Sequence, residues 1–174
     1  RTADLLELTG KNSEADSLYR KAILIEPKDA SLYIKYGKFL NQIDKVDDAL
    51  STYNKSIEIE PINPGAFRNI GYIYQKRKEY EKAIFYLKES VRMSDNHEAN
   101  NNVGLIYCAL GKFEEGIEYY DKAIKAKPDK AEYFILKAYA LQSLKKTDKA
   151  ILSYDEALKV NNEYKYAFGE RFYA

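Results

Sequence analysis

Catalysis at neutral pH needs a nucleophile, an acid–base pair or a metal held by several side chains. The residue types that supply these are sparse in this 174-residue chain, which has one histidine, His97, and one cysteine, Cys108. As a general base or ligand His97 has no companion, and its place at the start of a helical segment reads as a solvated helix start. Cys108 has no histidine on its helix face to take the thiol proton, so it reads as a small residue in a packed or groove-lining helix. No Cys/His cluster has zinc spacing, no acidic loop has the calcium pattern, and no Gly-rich run has the spacing of a phosphate cradle. The neighbouring carboxylates Glu114 and Glu115 lie on an expected exposed helix face, where they solubilise. The stretch QKRKEYEK, residues 75–82, is locally basic, but acids follow at once, and it reads as a solvated turn rather than a nucleic-acid contact. The sequon Asn54-Lys55-Ser56 falls inside an expected helix. The expectation is a chain without catalytic residues, cofactor or metal, and not an enzyme.

Composition agrees with that reading. The 28 basic and 27 acidic side chains nearly cancel, so no overall field draws nucleic acid or an anionic membrane. Hydrophobic residues make up 45% and charged ones 32%, with few Pro and Gly, which describes a folded, helix-rich chain. No apolar run approaches the roughly 18 residues of a membrane helix. A lone cysteine excludes an internal disulfide and suits a reducing, cytoplasmic setting.

The elements that position all side chains come from a repeat. Written in lines of 34, the chain aligns three columns of small residues. The first is Ala3, Gly37, Gly71, Gly104 and Ala138, and the second is Ala15, Ala49, Ala83, Gly116 and Ala150. The third is Ala22, Ser56, Ser90, Ala123 and Ala157. Tyr19, Tyr53, Leu87, Tyr120 and Tyr154 form a large apolar column between the last two. Pro27, Pro61 and Pro128 close three lines, while the third line is one residue short and ends in MSDN without its proline. Each line holds two apolar segments at helical spacing. About three residues join them, which forces an antiparallel pair. Where two such helices press together only a short side chain fits, and Gly71 is expected to face Ala83.

These columns and this period resemble the tetratricopeptide repeat family over essentially the whole chain. The resemblance implies an all-α fold, a right-handed superhelical solenoid of antiparallel helix pairs with a concave groove lined by first helices. In repeat register, 1–29 is a truncated first repeat, followed by 30–63, 64–96, 97–130, 131–164 and the start of a sixth, 165–174. Phe168, Phe172 and Tyr173 at that end suggest a longer native array or an end-to-end contact.

Periodicity assigns the groove. Its expected residues are Lys35 and Lys38, then Arg68, Asn69, Tyr72 and Lys76, then Asn101, Asn102 and Leu105, then Ile135 and Tyr139. The first half is basic and amide-rich and the second apolar, which suits a peptide with an acidic or polar end and an apolar end. Tyr72 and Tyr139 occupy equivalent slots, on the side expected to face away from the second helix. The carboxylate clamp of the family's co-chaperones would need matching residues at Ile34, Lys38, Asn69, Glu98 and Asn102, and only Asn69 agrees. The asparagine ladder of the O-linked N-acetylglucosamine transferases is matched at Asn69 and Asn102 but broken by Lys35 and Leu136.

The function implied is a non-enzymatic scaffold that binds peptide segments of partner proteins, with no nucleic acid and no membrane insertion. Two alternatives stay open: the substrate-recruiting region of a larger enzyme such as a glycosyltransferase, and a structural spacer in a ciliary, transport or cell-cycle assembly. Repeat four departs from the pattern, with Asn100 where its neighbours have Tyr33, Phe67 and Phe134, and with Gly116 for Ala. It is therefore expected to be the softest part of the array.

Overall fold

The computed structural model describes residues 11–161. The expectations for Ala3, for the first helix of repeat one and for residues 165–174 lie outside the described residues. Among the described residues the secondary structure is helical, with no strand. The helices are α1 (Asn12–Ile25), α2 (Ala30–Gln42), α3 (Val46–Ile59), α4 (Pro64–Lys76) and α5 (Tyr80–Met93). They continue with α6 (His97–Ala109), α7 (Phe113–Ala126), α8 (Ala131–Ser143) and α9 (Thr147–Val160). The chain divides into two compact units, Arg1–Met93 and Ser94–Ala174, and the break falls in the short MSDN junction that lacks a proline.

Local chemistry explains the boundaries. First helices begin at a capping side chain in three cases. Asp29 accepts from the Ser31 N–H at 2.8 Å, Asn63 from Ala66 at 3.1 Å and Asn96 from Ala99 at 3.0 Å. Pro64 follows Asn63 at the first turn of α4, where its missing N–H costs nothing. Each first helix then ends in the same tight turn. Asp44, Lys78, Gly111 and Lys145 adopt φ of 62°, 59°, 74° and 57°. The N–H after each reaches back to the helix, Lys45 to Leu40, Glu79 to Tyr74, Lys112 to Tyr107 and Lys146 to Leu141, at 2.8 to 2.9 Å. This left-handed stop satisfies carbonyls the helix would otherwise orphan and turns the chain within three residues.

Packing follows the columns. In the first unit the α2–α3 and α4–α5 pairs carry the core, with Tyr19, Tyr36, Phe39, Leu40, Tyr53, Ile70 and Ile73 all buried. A Cβ at Gly37 would come 2.6 Å from Tyr53 Cε1, and one at Gly71 would come 2.7 Å from Leu87 Cγ and 3.2 Å from the Ala83 carbonyl. Glycine is needed there because the partner helix occupies the space, so Gly71 does face Ala83. Ser56 and Ser90 are fully buried yet satisfied, donating to Tyr53 O and Pro64 O at 2.8 Å. α1 is tied to α2 by Asp16, which accepts from Tyr36 Oη at 2.6 Å and Arg20 Nε at 2.8 Å.

In the second unit α6 pairs with α7 and α8 with α9, around buried Val103, Gly104, Ile106, Tyr120, Ala138, Leu141 and Tyr154. Within each unit, the substantial helix–helix contacts run between consecutive helices or helices two apart.

Candidate functional site

In the first unit, Lys35 and Lys38 on α2 and Tyr72 and Lys76 on α4 are exposed, while Arg68 and Asn69 are half-buried. Lys76 Nζ lies 5.3 Å from the centre of the Tyr72 ring, a cation–π contact one helical turn long. Burial pulls the Arg68 guanidinium below its usual pKa, with nearby Tyr53 opposing that shift. The Nδ2 of Asn69 is shielded from solvent and has no hydrogen-bond partner.

In the second unit Asn101, Asn102, Leu105 and Ile135 are half-buried, and Tyr139 is exposed. Asn101 Oδ1 is shielded and unpartnered. Ile135 packs against the Ala138–Leu141–Ala150–Tyr154 cluster. Tyr139 does not simply face away from its second helix: its ring meets Tyr154 of α9 edge-on, with centroids 5.8 Å apart. Ile135 turns toward its own hairpin, where an apolar chain gains from burial, while the Tyr139 ring touches Tyr154 and stays 39% exposed.

The residues singled out for chemistry are absorbed into packing. His97 is not a simple solvated helix start, since its Nδ1 lies 2.7 Å from the Tyr133 hydroxyl and so joins the first turn of α6 to α8. Burial pushes the Cys108 thiol up, its hydrogen bond with Tyr120 opposing, which holds it as the inert thiol. The Cys108 sulfur also sits in the space a side chain at Gly116 would need, a pairing hidden from the sequence columns because the two residues lie in different columns. In the basic stretch, Arg77 pairs with Asp47 at 2.6 Å and Lys82 with Glu79 at 2.6 Å. Glu114 meets Lys146 at 3.5 Å. Among the described residues, no three His, Cys, Asp or Glu side chains lie together as a metal site.

Two surface furrows were not foreseen from periodicity. One of about 800 Å³ opens over Tyr33 and Tyr36, bounded by Ile23 and Leu24 of α1 and Thr52 and Lys55 of α3. A smaller one of about 540 Å³ takes the equivalent place in the second unit, over Phe134 and Leu141 between α7 and α9. The sequence signal they leave is the aromatic column of Tyr33 and Phe134, which lines each of them.

Helix pairs of 34-residue period, with glycine or alanine where the helices meet, define a tetratricopeptide repeat protein, a fold of protein–protein interaction scaffolds. More narrowly, the chain belongs to the family of the cilia and flagella-associated protein 70 middle TPR-like domain, whose family model matches residues 1–168. It is 29% identical over 125 residues to the BBSome complex member BBS4 homolog of Drosophila melanogaster, covering 71% of this chain and 26% of that protein. It is also 29% identical over 153 residues to the TPR repeat-containing protein MJ1428 of Methanocaldococcus jannaschii, covering 87% of this chain and 27% of that protein. The chain thus spans about a quarter of the length of these curated relatives. Among solved structures, MamA superposes with a TM-score of 0.81 at 22% identity, covering 95% of this chain and 97% of MamA. YrrB, described as a TPR protein with an unusual peptide-binding site, superposes with a TM-score of 0.73 at 19% identity, over 97% of this chain and 88% of YrrB. These likenesses show the fold.

Proposed function

We propose that the chain is a non-enzymatic scaffold module that takes up peptide segments of partner proteins along its first helices, inside a larger ciliary or flagellar assembly in the cell. One observation carries the reading. The column tyrosines Tyr19, Tyr53, Tyr120 and Tyr154 are at most 4% exposed, whereas Tyr72 and Tyr139, at equivalent slots of α4 and α8, are 38% and 39% exposed. Large amphipathic rings kept at the surface at repeat spacing are what a binding face needs. The family's association by name with cilia and flagella, and the BBSome relative, support the setting. The binding set is Lys35, Lys38, Arg68, Asn69, Tyr72 and Lys76 in the first unit and Asn101, Asn102, Leu105, Ile135 and Tyr139 in the second.

The test is affinity co-purification from a ciliated-cell lysate, comparing the chain with an Arg68→Glu, Tyr72→Ala, Tyr139→Ala variant of unchanged helicity. Loss of the captured partner by the variant supports the first-helix face. Equal capture by both refutes it.

A second reading is favoured by the furrows, which take the same place in both units and leave Leu24 80% exposed at the rim of the larger. A Leu24→Glu, Thr52→Arg variant that loses the partner while the triple variant keeps it would place binding there instead.

A further inference from the structure

Two columns of the repeat decide where the furrows open. On the second helices one column runs Thr52, Tyr86, Tyr119, Ser153, and on the first helices its companion runs Leu40, Tyr74, Tyr107, Leu141. In the α4–α5 pair Tyr86 stacks on Tyr74, with centroids 5.5 Å apart, and lies 6.0 Å from Phe67. In the α6–α7 pair Tyr119 stacks on Tyr107, also at 5.5 Å. The α2–α3 and α8–α9 pairs have Thr52 and Ser153 in that slot, and a furrow opens beside each. Both hydroxyls are already taken up by a carbonyl one turn back, Thr52 donating to Asp48 at 2.7 Å and Ser153 to Lys149 at 3.1 Å. These slots therefore offer apolar space and no waiting polar group. The array itself shows what fills such a space. It is a tyrosine ring set against the aromatic column, as Tyr86 is set against Phe67, whose equivalents Tyr33 and Phe134 line the open furrows.

The furrow of the second unit adds charge to shape. Phe134 and Leu141 line it, and Leu152 stands 65% exposed at its rim. Its α7 wall carries Glu114, Glu118 and Asp121, and its α9 wall carries Lys146 and Lys149. Lys146 holds Glu114 at 3.5 Å, Lys137 of α8 holds Asp121 at 2.6 Å, and Glu156 of α9 is held by Lys159 at 2.6 Å. Glu118 and Lys149, exposed on opposite walls, make no ion pair among the described residues. We propose that this furrow seats an amphipathic helix of a partner protein, with an aromatic side chain set on Phe134 and Leu141, a basic residue turned to Glu118 and an acidic one to Lys149. The proposal rests on the furrow reading above and adds the occupant and the unit that takes it. A volume of about 540 Å³ lies within the roughly 300–1,000 Å³ of ordinary ligand pockets. In an extended segment the neighbours of a buried ring point away from the furrow, whereas a helix carries a charged flank on each side of its apolar stripe. The ring supplies the anchor, and the two unpaired charges fix which way the helix runs. The first-unit furrow is larger, but its charges are already paired, Arg20 with Asp16 and Lys55 with Glu58, so it lacks that directional cue.

The test uses the whole 174-residue chain and fluorescence anisotropy with labelled alanine-based peptides of about 20 residues, long enough to be helical in water. One carries a central Tyr with Lys along one flank and Glu along the other, and its counterpart has Ala for the Tyr. The Tyr peptide should bind at least about tenfold more tightly than the Ala peptide. Ser153→Tyr gives the furrow a ring of its own, as Tyr119 does one hairpin earlier, and should abolish the difference between the two peptides. Leu152→Glu, a change at an exposed position that keeps the fold, should do the same if Ser153→Tyr fails to fold. Glu118→Lys with Lys149→Glu should weaken the Tyr peptide by about threefold and favour one with its flanks exchanged. The Arg68→Glu, Tyr72→Ala, Tyr139→Ala variant should bind like the parent. Equal affinity for the two peptides, or a Tyr peptide indifferent to Ser153→Tyr and Leu152→Glu, overturns the proposal. So does self-association of the chain that Leu152→Glu abolishes in sedimentation, which would assign the furrow to a second copy. If the peptides fail while Leu24→Glu, Thr52→Arg still loses its partner from lysate, the furrow reading stands and only this occupant is wrong.

Discussion

The Cys108 sulfur occupies the volume that a methyl group on residue 116 would fill, and residue 116 is glycine. The same sulfur is hydrogen-bonded to Tyr120, so it cannot swing away without cost. In the other hairpins the slot of Cys108 holds Asn41, Gln75 or Gln142 and the slot of Gly116 holds alanine. Gly116 is thus a packing partner rather than a plain helix defect. Gly116→Ala alone should lower stability by about 1 kcal/mol, because the clash outweighs the gain in helix propensity. In a Cys108→Ala background the same change should raise it by about 1 kcal/mol. Urea unfolding of the four members of the cycle decides the matter, and the same sign in both backgrounds would sink the pairing.

A second relationship recurs in both hairpins of the second unit. Tyr154 Oη donates to Gln142 Oε1 at 3.0 Å, and Tyr120 bonds Cys108 at the equivalent place. In the α4–α5 pair the tyrosine is replaced by Leu87, and Gln75 Oε1 is left buried without a partner. Gly71 provides the flat approach that Gly37 gives to Tyr53. Leu87→Tyr should therefore stabilise the chain by about 1 kcal/mol, and the gain should vanish when Gln75 is first changed to Ala. Thermal unfolding of both pairs reads this directly.

Asn100 gives the clearest reason to expect a soft second unit. It is 1% exposed, and neither Oδ1 nor Nδ2 has a partner. Asn100→Leu should raise stability by about 1–2 kcal/mol, since an unsatisfied amide is exchanged for apolar contact. In the parent chain, amide exchange in α6 and α7 should be faster than in α2 and α3. Slower exchange there, or a destabilised Leu variant, would contradict this account.

Asp16 links stability to pH. Burial alone would raise its carboxyl, but the hydrogen bonds from Tyr36 and Arg20 more than offset it and hold the group below its usual value of 3.8. A depressed folded-state pKa contributes stability that is present above the unfolded value and lost as pH falls through the folded one. Asp16→Asn should cost about 1–2 kcal/mol at neutral pH. The gap to the parent should close in acid below the ordinary carboxylate range, and a gap independent of pH would refute the charge-assisted bond.

The fold was legible because helix crossings leave a mark that one sequence can carry. A glycine, alanine or serine is required wherever backbones touch, so Gly37, Ala49 and Ser56 announce their helix pair through spacing alone. The three-residue turns were legible for a like reason, since a chain cannot reverse and pack in register otherwise. The binding face was less so. Periodicity gives the direction of a Cβ but not of the atoms beyond it, so Tyr139 could be placed on a face while its ring turned back to Tyr154. Likewise the amides of Asn69 and Asn101 read as outward groups, although one atom of each is shielded by its neighbours. The furrows were invisible because they are made by several helices at once, and no single helix records their volume.

The near-neighbour pattern of helix contacts also bears on how the chain acquires its shape. With each helix of a unit resting on the next or the next but one, no pairing waits for distant residues to meet. Any hairpin can form first and serve as a template for the one beside it. Folding should be fast, and it should proceed outward from the most stable pair rather than through one obligatory nucleus. During synthesis, each emerging pair can settle before the next has left the ribosome, so the module needs no finished C-terminus to begin folding.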